Sequence, residues 1–169
     1  PTELILKPGD KVKLTAKLFD AEGRFLREDK SPNWAVAGLK GSVDATGTFT
    51  AAADNIGQVG VIKAVSSGIT GEARARIVPP LPWDENFESY PEGGAPAHWV
   101  GTTAGRFAVK TLDGNKVFEK ETKETRFKRM RLFFGPWDWS NYTIECDVRL
   151  NERRRQMGDA GIVGSRYAL

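Results

Sequence analysis

Two acidic residues and an arginine alternate in one short stretch of the chain, at a spacing that can support chemistry. Glu145, Asp147 and Arg149 are separated by single residues, so in a β-strand they lie on one face, about 6.5–7 Å from one to the next. Paired carboxylates at such separations can hydrolyse glycosidic bonds, and the same face can bind a sugar or another polar ligand. The alternative is a set of solvated side chains with cross-strand partners. The spacing alone leaves both interpretations open.

Two tryptophans flank an aspartate in the sequence Trp137-Asp138-Trp139, directly after Gly135-Pro136. Aromatic side chains have large, rigid, amphipathic faces, and two of them can form a stacking platform for sugar rings. The competing interpretation is that one or both close a hydrophobic core. We assign no catalytic residue. The candidate ligand-binding residues are Trp137, Trp139, Glu145, Asp147 and Arg149.

Oxygen ligands of the kind that calcium prefers occur at Asp84, Glu85, Glu88 and Asp159. Their spacing matches no calcium-binding loop, and calcium is the only cofactor that we keep as a candidate. The chain has one cysteine and one histidine, which argues against a structural zinc site with four nitrogen and sulfur ligands. The cysteine, Cys146, lies on the apolar side of a predicted strand, where we expect a small buried thiol.

The charge and hydropathy of the chain argue against two classes of partner. The net charge is only +3, and the excess is shared between the two halves, whereas a nucleic-acid-binding domain shows a face of one sign. No apolar stretch approaches the roughly 20 residues that cross a membrane. Because the chain begins at Pro1 rather than methionine, we expect it to be a piece of a longer or processed polypeptide.

Residues 1–78 show the alternation of apolar and polar residues that is typical of short β-strands. The clearest example is the stretch from Lys11 to Leu18, where valine, leucine and alanine alternate with lysine and threonine. Six or seven such strands, spaced roughly ten residues apart, predict an antiparallel β-sandwich. Residues 43–50 read as a tight hairpin, and we expect Trp34 to be the core aromatic residue.

Several motifs of this half resemble one known family. Lys7-Pro8-Gly9-Asp10, Trp34 and the run Val43-Asp44-Ala45-Thr46-Gly47-Thr48-Phe49-Thr50-Ala51 resemble the bacterial immunoglobulin-like domain of surface and secreted proteins. The resemblance covers nearly all of residues 4–78. It implies a spacer or adhesive module outside the cytoplasm, and it implies no catalytic residues.

A proline-rich seam, Val78-Pro79-Pro80-Leu81-Pro82-Trp83, follows this half. Proline has no backbone N–H and a fixed φ, so the seam cannot lie in a helix interior or a central strand. We predict a domain at 1–78, a stiff linker at 79–83 and a second domain at 84–169. In the second domain, short strands are predicted at 107–110, 116–118 and 132–134, the clearest strand at 142–150, and another from residue 160.

The second half also resembles a known fold. Phe87-Glu88-Ser89-Tyr90-Pro91 and the strand-like run at 142–149 resemble parts of the concanavalin A-like or laminin-G-like β jelly roll, of which residues 84–169 would be the N-terminal part. Such domains often bind carbohydrate or calcium. The order of the two modules resembles the C-terminal region of secreted PQQ-binding-like β-propeller repeat proteins.

Together these features predict an all-β protein, an immunoglobulin-like sandwich followed by a partial jelly roll. We expect a non-enzymatic, extracytoplasmic segment whose sandwich presents a carbohydrate-binding or assembly-forming unit. One alternative is a fragment of a glycoside-active enzyme with Glu145 and Asp147 as its acid pair. The other is a structural subunit whose jelly roll is completed by another chain, through strand pairing at residues 160–169.

Overall fold

A computed structural model describes residues 3–101, 107–121, 131–136, 138–150 and 161. Within these ranges the protein contains thirteen β-strands and no helix, which confirms the predicted all-β class. The strands are β1 (Glu3–Leu6), β2 (Lys11–Lys13), β3 (Ala16–Phe19), β4 (Phe25–Asp29), β5 (Asn33–Ala37), β6 (Gly41–Val43), β7 (Thr48–Ala51), β8 (Gln58–Ser66), β9 (Ile69–Ile77), β10 (Val100–Gly101), β11 (Phe107–Leu112), β12 (Asn115–Lys120) and β13 (Leu132–Phe133).

Two sheets of the first half enclose one hydrophobic core. One sheet has the strand order β1-β9-β8-β5 and the other has the order β2-β7-β6. Leu4, Ile62 and Ile77 of the first sheet and Phe49 of the second belong to the same buried cluster. Alternate residues of a strand point to opposite faces, so the apolar positions of both sheets meet between them. The two sheets therefore form the layers of a β-sandwich.

One strand pair differs from the antiparallel arrangement predicted for this half. β1 and β9 run parallel, with Glu3 opposite Arg74 and Leu6 opposite Ile77. The backbone N–H of Val78 continues this ladder by donating to the carbonyl oxygen of Leu6 at 2.8 Å. β1 and β9 are far apart in sequence, so no short turn constrains them to run in opposite directions.

The hairpin predicted at residues 43–50 is confirmed. β6 and β7 pair antiparallel, and the Asp44 Oδ1 oxygen accepts from the backbone N–H groups of Thr46 and Thr48, at 2.9 Å each. Trp34, predicted to be the core aromatic residue, is half-buried and packs against the core cluster, whose fully buried aromatic residue is Phe49. The Trp34 ring lies so close to Gly47 that a Cβ there would be 2.6 Å from Cζ2, and Gly47 has a φ of +87°. This turn therefore requires glycine for both space and backbone conformation.

The strands beyond the sandwich form two short ribbons. β11 and β12 pair antiparallel around Asp113 and Gly114, which have φ values of +52° and +88°, as expected for a two-residue hairpin loop. β10 pairs with β13, and Val100 lies opposite Phe133. The strands predicted at 107–110 and 116–118 are thus present, and the one predicted at 132–134 is present as β13.

The chain forms two compact units, Pro1–Gly135 and Pro136–Leu169. The seam predicted as a stiff linker lies inside the first unit, and two of its residues are packed there, since Val78 is 4% exposed and Pro79 is buried. The domain boundary at 79–83 and the jelly-roll extent of 84–169 stay predictions from sequence.

Residues 142–150, which we call the amphipathic segment, form no strand ladder with another described residue. The prediction of a paired strand there was wrong for the part of the chain described. The prediction of a buried thiol was also wrong, because Cys146 is exposed. An alternating sequence provides an apolar side, but burial needs a second layer, and an isolated strand is not stable alone. The strand predicted from residue 160 lies outside the described residues, apart from Gly161.

Candidate functional site

The predicted aromatic platform is described at one of its two tryptophans. Trp139 is half-buried and lies edge to face with Tyr142, at a centroid distance of 6.2 Å and an interplanar angle of 67°. The Tyr142 side chain is 36% exposed. Trp137 lies outside the described residues. The structure therefore places one aromatic pair with an accessible ring at the start of the amphipathic segment.

Glu145, Asp147 and Arg149, the other predicted ligand-binding residues, are all exposed. Because no sheet forms at the amphipathic segment, the structure does not hold the three on one sheet face as the spacing predicted. The acid of a glycosidase pair is held in a shielded site that favours its neutral form. Neither carboxylate has such a setting, so the catalytic alternative is supported by spacing alone.

The four calcium candidates are not assembled into one site. Glu85 and Glu88 bind hydrogen-bond donors of the protein itself, Asp84 is exposed, and Asp159 lies outside the described residues. In the described ranges, no group of three or more His, Cys, Asp or Glu side chains is placed to hold a metal ion. Calcium binding stays a prediction from composition.

The structure instead assembles an aromatic cluster that sequence reasoning did not foresee. Phe118 is stacked between Phe87 and Phe107, at centroid distances of 5.4 and 5.5 Å, and Trp99 stacks on Phe134 at 4.8 Å. Edge-to-face contacts join the two stacks through Trp99. Such pairs are worth about 0.5–1.5 kcal/mol each beyond the burial of their area. The aromatic cluster consists of Trp83, Phe87, Tyr90, His98, Trp99, Phe107, Phe118 and Phe134.

A carboxylate supports the turn that brings Phe87 into this cluster. Phe87 has a φ of +62°, a strained conformation for a bulky residue. The Glu85 carboxylate accepts from the backbone N–H of Phe87 at 2.9 Å and from the hydroxyl of Tyr90 at 2.8 Å. Burial and the nearby Glu85 raise the pKa of Tyr90 above its ordinary value. Glu85 thus helps to position the cluster and is not available as a free ligand.

Two further carboxylates fasten the same loop to the β11–β12 hairpin. Glu88 accepts from the backbone N–H of Lys116 at 2.7 Å, and Glu92 accepts from the backbone N–H and the hydroxyl of Thr111. The Thr111 hydroxyl is the main reason that the pKa of Glu92 lies below its ordinary value. These carboxylates therefore accept hydrogen bonds from backbone N–H groups that a neighbouring strand would otherwise pair.

His98, the single histidine, is buried in the aromatic cluster. It is 3% exposed, and its ring contacts those of Trp83, Tyr90 and Trp99 at centroid distances of 6.1–6.4 Å. Its Nε2 atom accepts from the indole N–H of Trp99 at 3.1 Å, while Nδ1 is buried without a partner among the described residues. Burial lowers the pKa of His98 from 6.5 to about 4, so the ring is neutral at pH 7.

The His98 ring also rests on the sandwich, at Gly57. A Cβ at Gly57 would overlap Cε1 and Nδ1 of the imidazole and would lie 2.6 Å from Nε2. Gly57 immediately precedes β8, so this contact joins the aromatic cluster to the first sheet of the sandwich. Sequence reasoning missed both residues, because the only local signals were a lone histidine and a glycine that fits an ordinary turn.

Beyond the sandwich, exposed apolar side chains include those of the β10–β13 ribbon and of the amphipathic segment. Val100 and Phe133, directly opposite each other on the β10–β13 ribbon, are 43% and 55% exposed. Val148 and Leu150 of the amphipathic segment are 55% and 43% exposed. Grouped exposed apolar residues indicate a surface that another molecule can cover.

Comparisons with known protein families, with the curated proteins and with the solved structures found no match to this chain. A search of the described residues for a helix long and apolar enough to cross a membrane found none.

Proposed function

We propose that this chain is a non-enzymatic assembly module, in which the β-sandwich supports a second region that joins another chain by strand pairing. The amphipathic segment is the observation that carries the proposal. Its apolar side chains are spaced for one face of a strand, yet Val148 and Leu150 are exposed and no ladder with a described strand covers them. A strand added from a second chain would supply both the backbone hydrogen bonds and the apolar cover.

The finer assignment of the two regions belongs to this proposal. We infer that residues 1–78 are an immunoglobulin-like spacer, and that the following residues are the first part of a concanavalin-like jelly roll completed by its partner. The motifs at residues 7–10 and 43–51 support the first assignment. The same resemblance supports a location outside the cytoplasm, either periplasmic, at the cell surface or secreted.

The single cysteine allows a direct test of this proposal. Cys146 lies within the amphipathic segment and is exposed, so a maleimide should label it rapidly in dilute protein. Strand pairing between copies would protect it, and we expect the labelling rate to fall as the protein concentration rises, in step with a larger sedimentation coefficient. A rate independent of concentration together with a monomeric sedimentation profile would contradict assembly between copies.

Two matched variants locate the contact. Val148→Lys places a charge on the apolar side of the segment and should abolish the protection of Cys146, because burying an unpaired charge is costly. Thr143→Lys places the same charge on the opposite side of the segment and should preserve most of the protection of Cys146. Equal effects of the two variants would show that the association does not use the apolar side.

A second candidate function is carbohydrate binding at Trp139 and Tyr142. The observation that favours it is the accessible edge-to-face pair, because aromatic faces bind sugar rings by stacking. Calorimetric titration with a panel of oligosaccharides tests it, and we expect Trp139→Ala to abolish any binding that is found. If no oligosaccharide binds the intact chain, this second function is wrong, while the assembly proposal keeps its own test.

A further inference from the structure

The protonation state of His98 follows from its contacts. Because Nε2 accepts a hydrogen bond from the indole N–H of Trp99, its lone pair is occupied, and the proton of the neutral ring must be on Nδ1. Nδ1 is buried and faces no acceptor in the described part of the chain. A buried donor without a partner is costly, so this ring is held in place by packing and by the single hydrogen bond from Trp99.

A fall in pH changes this arrangement at one atom, Nε2 of His98. The second proton of an imidazolium must enter at Nε2, and this N–H would then point at the N–H of Trp99. Protonation therefore breaks the hydrogen bond of His98 and also places a charge among the rings of Trp83, Tyr90 and Trp99. The ring cannot move toward the sandwich to escape, because it already fills the space above the backbone of Gly57.

We propose that His98 is an acid-sensitive latch, which holds residues 83–99 against the sandwich and releases them when its ring is protonated. The latch joins the aromatic cluster to Gly57 through the packing of the buried ring, and its neutral form keeps the hydrogen bond to Trp99. Its release would expose apolar rings next to the ribbon of β10 and β13. His98 and residues 83–99 lie in the first compact unit, and the latch does not depend on the assembly function.

In the described part of the chain, the groups in contact with the His98 ring do not titrate between neutral and mildly acidic pH. They are the rings of Trp83, Tyr90 and Trp99 and the backbone of Gly57. Tyr90 keeps its proton throughout this range, because its pKa is raised. Glu85 lies behind it as the acceptor of the Tyr90 hydroxyl.

The sign and size of the effect follow from linkage. Because the pKa of buried His98 is about 4 and its ordinary value is 6.5, the released ring binds a proton more readily than the buried one. The latch is therefore fully stable above about pH 6.5 and weakens as the pH falls toward 4. At pH 5 the equilibrium for release should be roughly 20-fold more favourable than at pH 7.

Nuclear magnetic resonance of the unmodified protein tests the latch directly, since a single imidazole gives the signals. With uniform ¹⁵N labelling, we expect the Nδ1–H tautomer at neutral pH and a titration midpoint well below 6.5. An Nε2–H tautomer, or a midpoint near 6.5, would overturn the proposal without any variant having to fold.

Hydrogen exchange tests the release itself. After correction for intrinsic rates, the amides of residues 83–99 should lose protection between pH 7 and pH 5, while those of β8 and β9 keep theirs. His98→Phe preserves a ring above Gly57 and removes the titrating group, so it should abolish this difference. A variant that opens with the same pH dependence, or a wild-type chain that loses protection everywhere at once, would show that His98 is not the latch.

Discussion

The sandwich and the aromatic cluster lie in one compact unit, but they bury their side chains in different ways. The sandwich core is mainly aliphatic, and long strands such as β8 and β9 hold it in continuous register over nine residue pairs. The aromatic cluster is built by ring contacts between loops and short ribbons, with the carboxylates of Glu85, Glu88 and Glu92 capping exposed backbone groups. Ladders therefore stabilise the first region, and specific side-chain contacts stabilise the second.

This difference has consequences for how each region responds to change. Aliphatic burial is non-directional, so its loss scales with the volume that is removed. Ring contacts and carboxylate caps depend on orientation and charge, so they respond to small displacements and to pH. Four substitutions test this difference between the regions, in decreasing order of the change that we expect.

The largest effect is expected for Phe49→Ala in β7. Phe49 is fully buried in the sandwich core, and a truncation of this kind costs about 3–5 kcal/mol because it leaves a cavity. Urea denaturation measures the loss in the free energy of unfolding. Phe25→Ala is the matched control, since Phe25 is also in a strand but is 57% exposed, and we expect it to cost about 1 kcal/mol or less. Similar losses for the two would mean that the core does not lie where the sandwich places it.

Gly60→Ala should have the second-largest effect, a loss of about 2–3 kcal/mol in the free energy of unfolding. A Cβ at Gly60 would overlap the carbonyl oxygen of Ala37 and would lie 2.8 Å from the carbonyl carbon of Gly38, and backbone atoms cannot move aside cheaply. Gly71→Ala in β9 is the control, because a Cβ there meets nothing within 4 Å. We expect the control to leave the stability unchanged or to raise it slightly, since alanine lowers the conformational entropy of the unfolded chain. A neutral Gly60→Ala would argue against the close approach of β8 to the turn after β5.

Gly57→Ala tests whether the two regions are joined, with an expected loss of about 1–2 kcal/mol. The new methyl group would overlap the His98 ring, but a ring can shift where backbone cannot. Protection of residues 83–99 against hydrogen exchange should therefore fall more than that of the sandwich strands. Gly71→Ala again serves as the control. An equal loss of protection in both regions would show that Gly57 is a residue of the sandwich alone.

Glu92→Gln should have the smallest effect, because it weakens only the hydrogen bonds that Thr111 of β11 donates to Glu92. The pKa of Glu92 is lowered, chiefly by the hydroxyl of Thr111, so its contribution is present above its ordinary value of 4.5 and is lost as the pH falls through the lowered value. At neutral pH the variant should exchange the Thr111 amide faster than wild type, and the two should converge in acid. Glu22→Gln, in the turn between β3 and β4, should leave Thr111 unchanged. A difference that persists in acid would mean that charge is not the cause.

The sandwich could be predicted from the sequence more fully than the aromatic cluster. The hairpins at Asp44 and at Asp113-Gly114 were predicted because turn chemistry is local, and the sandwich strands were predicted because alternation is visible within a few residues. Glu85 and Glu88 were proposed as calcium ligands from their chemistry, but their hydrogen-bond partners Phe87, Tyr90 and Lys116 could not be inferred from spacing. The position of a carboxylate in the sequence does not indicate from which donor it will accept a hydrogen bond.

The all-β class, the main turns and the alternating core positions of the sandwich could all be predicted from the amino-acid sequence. All of these depend on the conformational preferences of neighbouring residues and on the two-residue period of a strand. Tertiary structure alone decided the parallel pairing of β1 with β9, the burial of His98 against Gly57, and the absence of a described partner strand for residues 142–150. These depend on which distant surfaces meet, because the cost of burying a polar group or exposing an apolar face is set by the neighbours that folding supplies.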